Sequence, residues 1–171
     1  LFTGGDANAA RARRIGLLVA LAAFAATLPL YIGFDAQSAA MQFEQQRPWV
    51  EAVHINYHLC IDGSSLLFIL LTSFTTLLVV IAGWQVIQQK VAQYMAAFLF
   101  MEGLMIGVFS SLDAILFYVF WEAMLIPMFV IIGVWGGPNR VYATMKFFLY
   151  TLLGSVLMLV RSRHAVPAFL V

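Results

Sequence analysis

Residues 114–135 read Ala114-Ile-Leu-Phe-Tyr-Val-Phe-Trp-Glu122-Ala-Met-Leu-Ile-Pro127-Met-Phe-Val-Ile-Ile-Gly-Val-Trp135. A single charge, Glu122, interrupts these 22 residues. A bilayer hydrocarbon core of roughly 30 Å needs about 20 apolar residues of helix. Lipid offers no hydrogen bonds to the backbone, so the stretch satisfies its own amides as a helix. Four further stretches have the same character. Ile15–Phe34 and Gly63–Gln89 carry no charge, the second being apolar to about Trp84; Val91–Leu112 carries only Glu102, and Val141–Val160 carries Lys146. The sequence therefore predicts an all-α polytopic membrane bundle, with spans at about 15–34, 63–84, 91–112, 114–135 and 141–160.

Composition agrees. The 171 residues are 63% hydrophobic and 10% charged, against about 45–50% and 25% in soluble domains. This excludes soluble and disordered chains. A formal net charge of +1 gives no general field for nucleic acid. The one cysteine, Cys60, excludes an internal disulfide and a multi-cysteine metal site. Arg11, Arg13 and Arg14 with Ala-Phe-Ala at 23–25 resemble a cleaved signal. Its apolar core would be shorter, however, and no exported polar domain follows.

Short-loop basic residues set orientation. A cytoplasmic N-terminus places Arg11, Arg13, Arg14, Lys90, Arg140 and Lys146 on that side, and Arg47, Arg161 and Arg163 outside. The tail 161–171 is the dissenter: either the fifth helix does not end at Val160, or the tail is atypical and not native sequence. In the outer loop, 35–62, Val53–Asp62 alternates apolar and polar residues. That is the period of a half-buried strand, in a hairpin entered through a turn at Arg47-Pro48. Gly136-Gly-Pro-Asn139 is a turn between spans, without the spacing of a phosphate loop.

Intramembrane ionisable groups mark ion or proton paths by default. Glu102 and Glu122 stand about 13–15 Å from the same outer turn, at equal depth, if both segments are helical. Carboxyls at equal depth can share or pass a proton. The plainer alternatives are a permanently protonated or packing carboxyl, supported for Glu102 by adjacent Gly103 and Gly107. For Glu122, Pro127 removes a backbone donor and frees a carbonyl near Ala123, a place for water. Lys146 is either a cation that tunes a glutamate or a lysine that snorkels to the interface. His54, His58, Cys60 and Asp62 fall on one strand face, a poor geometry for closing a tetrahedral metal site. No histidine lies in a span, which argues against a bis-histidine haem.

Specific motifs go further. Phe117-Tyr-Val-Phe-Trp-Glu122-Ala-Met-Leu-Ile-Pro127-Met resembles the fifth-helix signature of the antiporter-like subunits of respiratory complex I, NADH:quinone oxidoreductase. Gly133-Val-Trp-Gly-Gly137, Lys146-Phe-Phe-Leu-Tyr-Thr151, Asp62-Gly63, and Ile106-Gly-Val-Phe109 with Asp113 are similar to the subunit M branch and its mitochondrial counterpart. The resemblance runs from about Ile15 to Val160. It implies a proton-translocating membrane-arm subunit of about fourteen helices, built on inverted repeats. By the same resemblance Glu122 is the relay glutamate, paired in the family with a lysine two helices on, and Glu102 is a second carboxyl. This chain itself would carry no cofactor, with FMN, iron–sulfur clusters, NADH and quinone on other subunits. Implied partners are the neighbouring antiporter-like subunits and the lipid of a bacterial inner membrane. The chain departs from the family in having five spans, matching the second to sixth helices, and in lacking the lysine-bearing helices beyond. A truncated or frame-shifted sequence is the reading that follows. The alternatives are a homologous sodium/proton antiporter or membrane-bound hydrogenase subunit, and a non-functional fragment.

Overall fold

The computed structural model describes residues 9–35, 41–50 and 55–165. The chain runs α1 (Ala9–Ile32), β1 (Gln42–Val50), β2 (Ile55–Ile61), α2 (Gly63–Val86), α3 (Val91–Ser110), α4 (Ala114–Trp135) and α5 (Arg140–Ala165). All five helices are long and apolar enough to cross a membrane, and the protein is a multi-pass membrane protein. The fifth helix continues past Val160, the end of the expected span, to Ala165, as the first reading of the tail has it. Residues 166–171 of the expected tail lie outside the described residues.

α1, α2 and α3 pack against one another, α4 packs on α3, and α5 packs on α4. The three-helix part holds two apolar clusters. One joins Ala20, Val80, Val91 and Met95. The other joins Ile61, Leu66 and Ile69, with Leu30, Phe34 and Ile106 against them. The helix starts beside the hairpin are capped by aspartates. Asp62 accepts from Ser65 N at 2.7 Å and from Ser64 Oγ at 2.8 Å; Asp113 accepts from Ile115 N and Leu116 N. Each cap satisfies amides that a helix cannot satisfy itself.

Two glycines are sterically required. A Cβ on Gly107 would lie 2.8 Å from the Phe120 ring, so α3 and α4 touch here with nothing between them. A Cβ on Gly136, where α4 ends, would overlap the Ile132 carbonyl. Gly103, by contrast, faces open space, so of the two glycines beside Glu102 only Gly107 serves packing.

β1 and β2 form an antiparallel hairpin. Arg47-Pro48 is not its turn. Both residues sit within β1, opposite Tyr57 and Asn56, next to a register shift. A two-stranded ribbon consists only of edges, so a proline with no amide to donate is tolerated there. Val53, His54 and the connection 51–54 lie outside the described residues. The hairpin is tied to the bundle by Leu112 N donating to His58 O at 3.1 Å and by a bridge between Leu59 and Ser111.

Candidate functional site

Glu122 is the ninth residue of α4, about 12 Å along the helix from Ala114. Glu102 is eight residues before the end of α3, also about 12 Å from the connecting turn. The two carboxyls share a depth but not a face. Phe120 points at Gly107 of α3, and Glu122, two residues on, is rotated about 200° around α4. It faces α5, where Ser155 Oγ donates to Glu122 Oε1 and also to Leu152 O at 2.9 Å. The Tyr118 hydroxyl, one turn before Glu122, interacts with both Glu122 and Ser155. Glu122 is half-buried, and Ser155 is buried. The carboxyl thus sits in a small hydroxyl cluster at the α4–α5 seam. Helix α4 stays continuous through buried Pro127, and the proline leaves the Ala123 carbonyl without its helical partner.

Glu102 lies on the far side of α3. Met95, Leu99, Glu102 and Ile106 recur at helical spacing, so they share one face. Met95 touches Gly16 of α1, and Ile106 packs on the Ile61–Ile69 cluster. That face therefore looks into the α1–α2–α3 interior. Glu102 is 3% exposed, and its Oε1 is buried with no hydrogen-bond partner. Among the described residues no hydrogen bond or ion pair joins Glu102 to Glu122.

Lys146 stands on the exposed face of α5, its Nζ 5.6 Å from the Tyr142 ring centre and 5.9 Å from that of Tyr150. Nine residues separate it from Ser155, which turns the two to opposite sides of the helix. Within this chain, then, Lys146 does not supply the cation expected to tune Glu122. Of the residues weighed as metal ligands, His58, Cys60 and Asp62 are described, and each is otherwise engaged. His58 Nε2 pairs with Glu44 Oε1 at 2.7 Å. Buried Cys60 lies 3.6 Å from Met41 Sδ, and burial, with Asp62 and Glu44 adding to it, pushes its thiol up. Asp62 is the α2 cap, its carboxyl held below the usual range chiefly by Ser65. Among the described residues no three His, Cys, Asp or Glu side chains come together.

Sequence reasoning did not single out Ser155, Tyr118, Thr27, Ser73 or Thr76. Hydroxyls within spans carry only a weak signal, because each can bond its own helix. The i, i+4 spacing of Tyr118 and Glu122 would have paired those two.

Known proteins resemble this arrangement. Residues 111–162, which hold α4 and most of α5, match the family described as NADH:quinone oxidoreductase/Mrp antiporter, TM. NADH-quinone oxidoreductase subunit M of Rhodobacter capsulatus is 50% identical over 156 residues, 91% of this chain and 30% of that protein. NADH-ubiquinone oxidoreductase chain 4 of Arabidopsis thaliana is 48% identical over 148 residues, 86% of this chain and 30% of that protein. In the structure of respiratory complex I from Thermus thermophilus with bound NADH, one chain superposes with a TM-score of 0.76 at 31% identity, over 86% of this chain and 30% of that one. The chain spans about 30% of the length of these relatives. By motifs, fold and sequence, the chain is similar over this length to the antiporter-like membrane subunits of NADH:quinone oxidoreductase, in the branch of subunit M and mitochondrial chain 4.

Proposed function

We propose that the chain is part of a membrane-arm subunit that moves protons as NADH reduces quinone, with Glu122 as the proton-carrying group. The observation that carries this is Glu122 itself: a carboxyl half-way along an apolar helix, held by the Ser155 hydroxyl at a helix seam, with the Tyr118 hydroxyl beside them. Burying such a group is costly, and a proton path is the default reason to keep one. Glu122 exchanges its proton along the seam, Ser155 and Tyr118 position the carboxyl, and the open Ala123 carbonyl offers water a hold. Glu102 is a second proton-holding carboxyl on the opposite side of α4. Lys146, facing away from both, acts toward whatever covers α5. Flavin, iron–sulfur clusters, NADH and quinone belong to other subunits. The partners are the neighbouring membrane-arm subunits and the lipid of a bacterial inner membrane, with the N-terminal end of α1 on the cytoplasmic side.

A second reading is supported by the matched family, whose description also includes the Mrp antiporter. In that case the same glutamates would serve sodium/proton exchange. Glu122→Gln in the full-length subunit of the assembled complex separates the possibilities. Proton pumping driven by NADH in sealed vesicles should fall strongly, with the complex still assembled. An unchanged proton-to-electron ratio and rate would refute the relay reading. Transport requiring sodium and not NADH would favour the antiporter.

A further inference from the structure

Between the two apolar clusters of the three-helix part lies a polar layer. On α2, Ile69 belongs to one cluster and Val80 to the other, roughly 16 Å apart along the axis. Ser73 and Thr76 fall between them on the same face. On α1, Thr27 falls between Ala20 and Leu30; on α3, Glu102 falls between Met95 and Ile106. All four side chains are more than nine-tenths buried: Thr27 is 4% exposed, Ser73 0%, Thr76 7% and Glu102 3%.

The hydrogen bonding of this layer is one-sided. Thr27 Oγ1 donates to Phe24 O at 2.7 Å, Ser73 Oγ to Leu70 O at 3.1 Å and Thr76 Oγ1 to Thr72 O at 3.1 Å. Each hydroxyl has a carbonyl of its own helix within reach of its proton, which leaves an oxygen lone pair able to accept toward the interior. Thr27 and Ser73 bring theirs within 3.3 Å of each other, although only one at a time can donate across that gap. At the same level Glu102 adds a buried Oε1 with no partner. A buried acceptor without a donor is costly. An ionised carboxylate needs donors, and Glu102 Oε1 receives none from the layer, whose hydroxyls bond their own helices. The chemistry that satisfies every group is a donor: a protonated carboxyl, together with a water or hydronium that donates to the hydroxyl oxygens.

We propose that Thr27, Ser73, Thr76 and Glu102 form a hydration site inside the α1–α2–α3 bundle that binds water or hydronium beside a protonated Glu102. The proposal rests on the proton-transport reading for its purpose, and on the acceptor geometry for its existence. It places a second protonated station across α3 and α4 from Glu122, to be bridged by water and not by direct contact.

Infrared difference spectra, recorded in H2O and D2O on the assembled complex with the full-length subunit, test it. Glu102→Gln should remove a protonated-carboxyl band that shifts in D2O. Combined Thr27→Val and Ser73→Ala should move that band to higher frequency, as a carboxyl losing its partners does. Thr27→Ser, which keeps the hydroxyl, should leave the band in place and shows that the complex tolerates change there. Replacing sodium chloride by choline chloride should have no effect. The proposal is overturned if no band depends on Glu102, if hydroxyl removal leaves the band unmoved, or if the group is a carboxylate that responds to sodium. The spectra need no turnover, so their outcome is independent of the Glu122→Gln pumping result.

Discussion

Gly107→Ala is the sharpest probe of the geometry that holds the two carboxyls apart. The added Cβ would sit 2.8 Å from Phe120 Cδ1 and Cε1 and 2.9 Å from Cγ. Carbon atoms rest at about 3.5–4.0 Å, so the contact must open by about 0.7 Å or more. Turning the ring does not relieve it, because Cγ is fixed to the α4 backbone through one Cβ. The helices must therefore shift. Overpacking of this kind costs about 1–3 kcal/mol, while alanine gains about 1 kcal/mol over glycine in helix propensity. A net loss of about 1 kcal/mol is expected, larger for Gly107→Val. Phe120→Ala removes the obstacle, so Gly107→Ala in that background should be neutral or stabilising. The coupling energy from the double-mutant cycle should fall at about 1–3 kcal/mol. Thermal unfolding of the detergent-solubilised complex, read as loss of assembled complex with temperature, supplies the four values. Additive effects, or a stabilising Gly107→Ala in the wild-type background, would refute the close α3–α4 contact, and with it the assignment of Glu102 and Glu122 to opposite sides of α4.

Two other expectations follow from single contacts. Ser155→Ala removes a donor to Glu122 that is shared with Leu152 O; at the upper end of the range for one hydrogen bond, about 1.5 kcal/mol, it should slow NADH-driven pumping about tenfold. Ser155→Thr should restore it, and equal rates in all three forms would remove Ser155 as a positioning residue. Asp62→Ala should cost about 1 kcal/mol as a lost helix cap. Because the folded-state carboxyl is held low, the cap's contribution is complete above the unfolded value of about 3.9. It fades as pH falls further, through the folded value. A wild-type-minus-Asp62→Ala stability difference that grew on acidification would contradict this.

Much of the bundle was legible in the sequence because the membrane imposes a simple rule. Apolar length decides what spans, and the backbone must then be helical, so Gly63, Val91, Ala114 and Arg140 begin helices close to where the apolar runs begin. Period-two alternation likewise announced β2. The Arg47-Pro48 turn was misplaced because proline restricts only its own amide, and an edge strand does not need that amide.

That this chain lives in a bilayer, that two carboxyls lie there at one depth, and which family it resembles are all legible from the residues in order, since hydropathy, helical rise and local motifs are properties of the linear chain. Which way each carboxyl faces was settled only by the tertiary structure. Rotation about a helix axis is set by packing, and in an apolar span every face is equally compatible with lipid. One close contact, Gly107 on Phe120, orients α4 so that Glu122 meets Ser155. The neighbours Met95 and Ile106 turn Glu102 inward to the hydroxyls of α1 and α2, and Lys146 is left on the far side of α5.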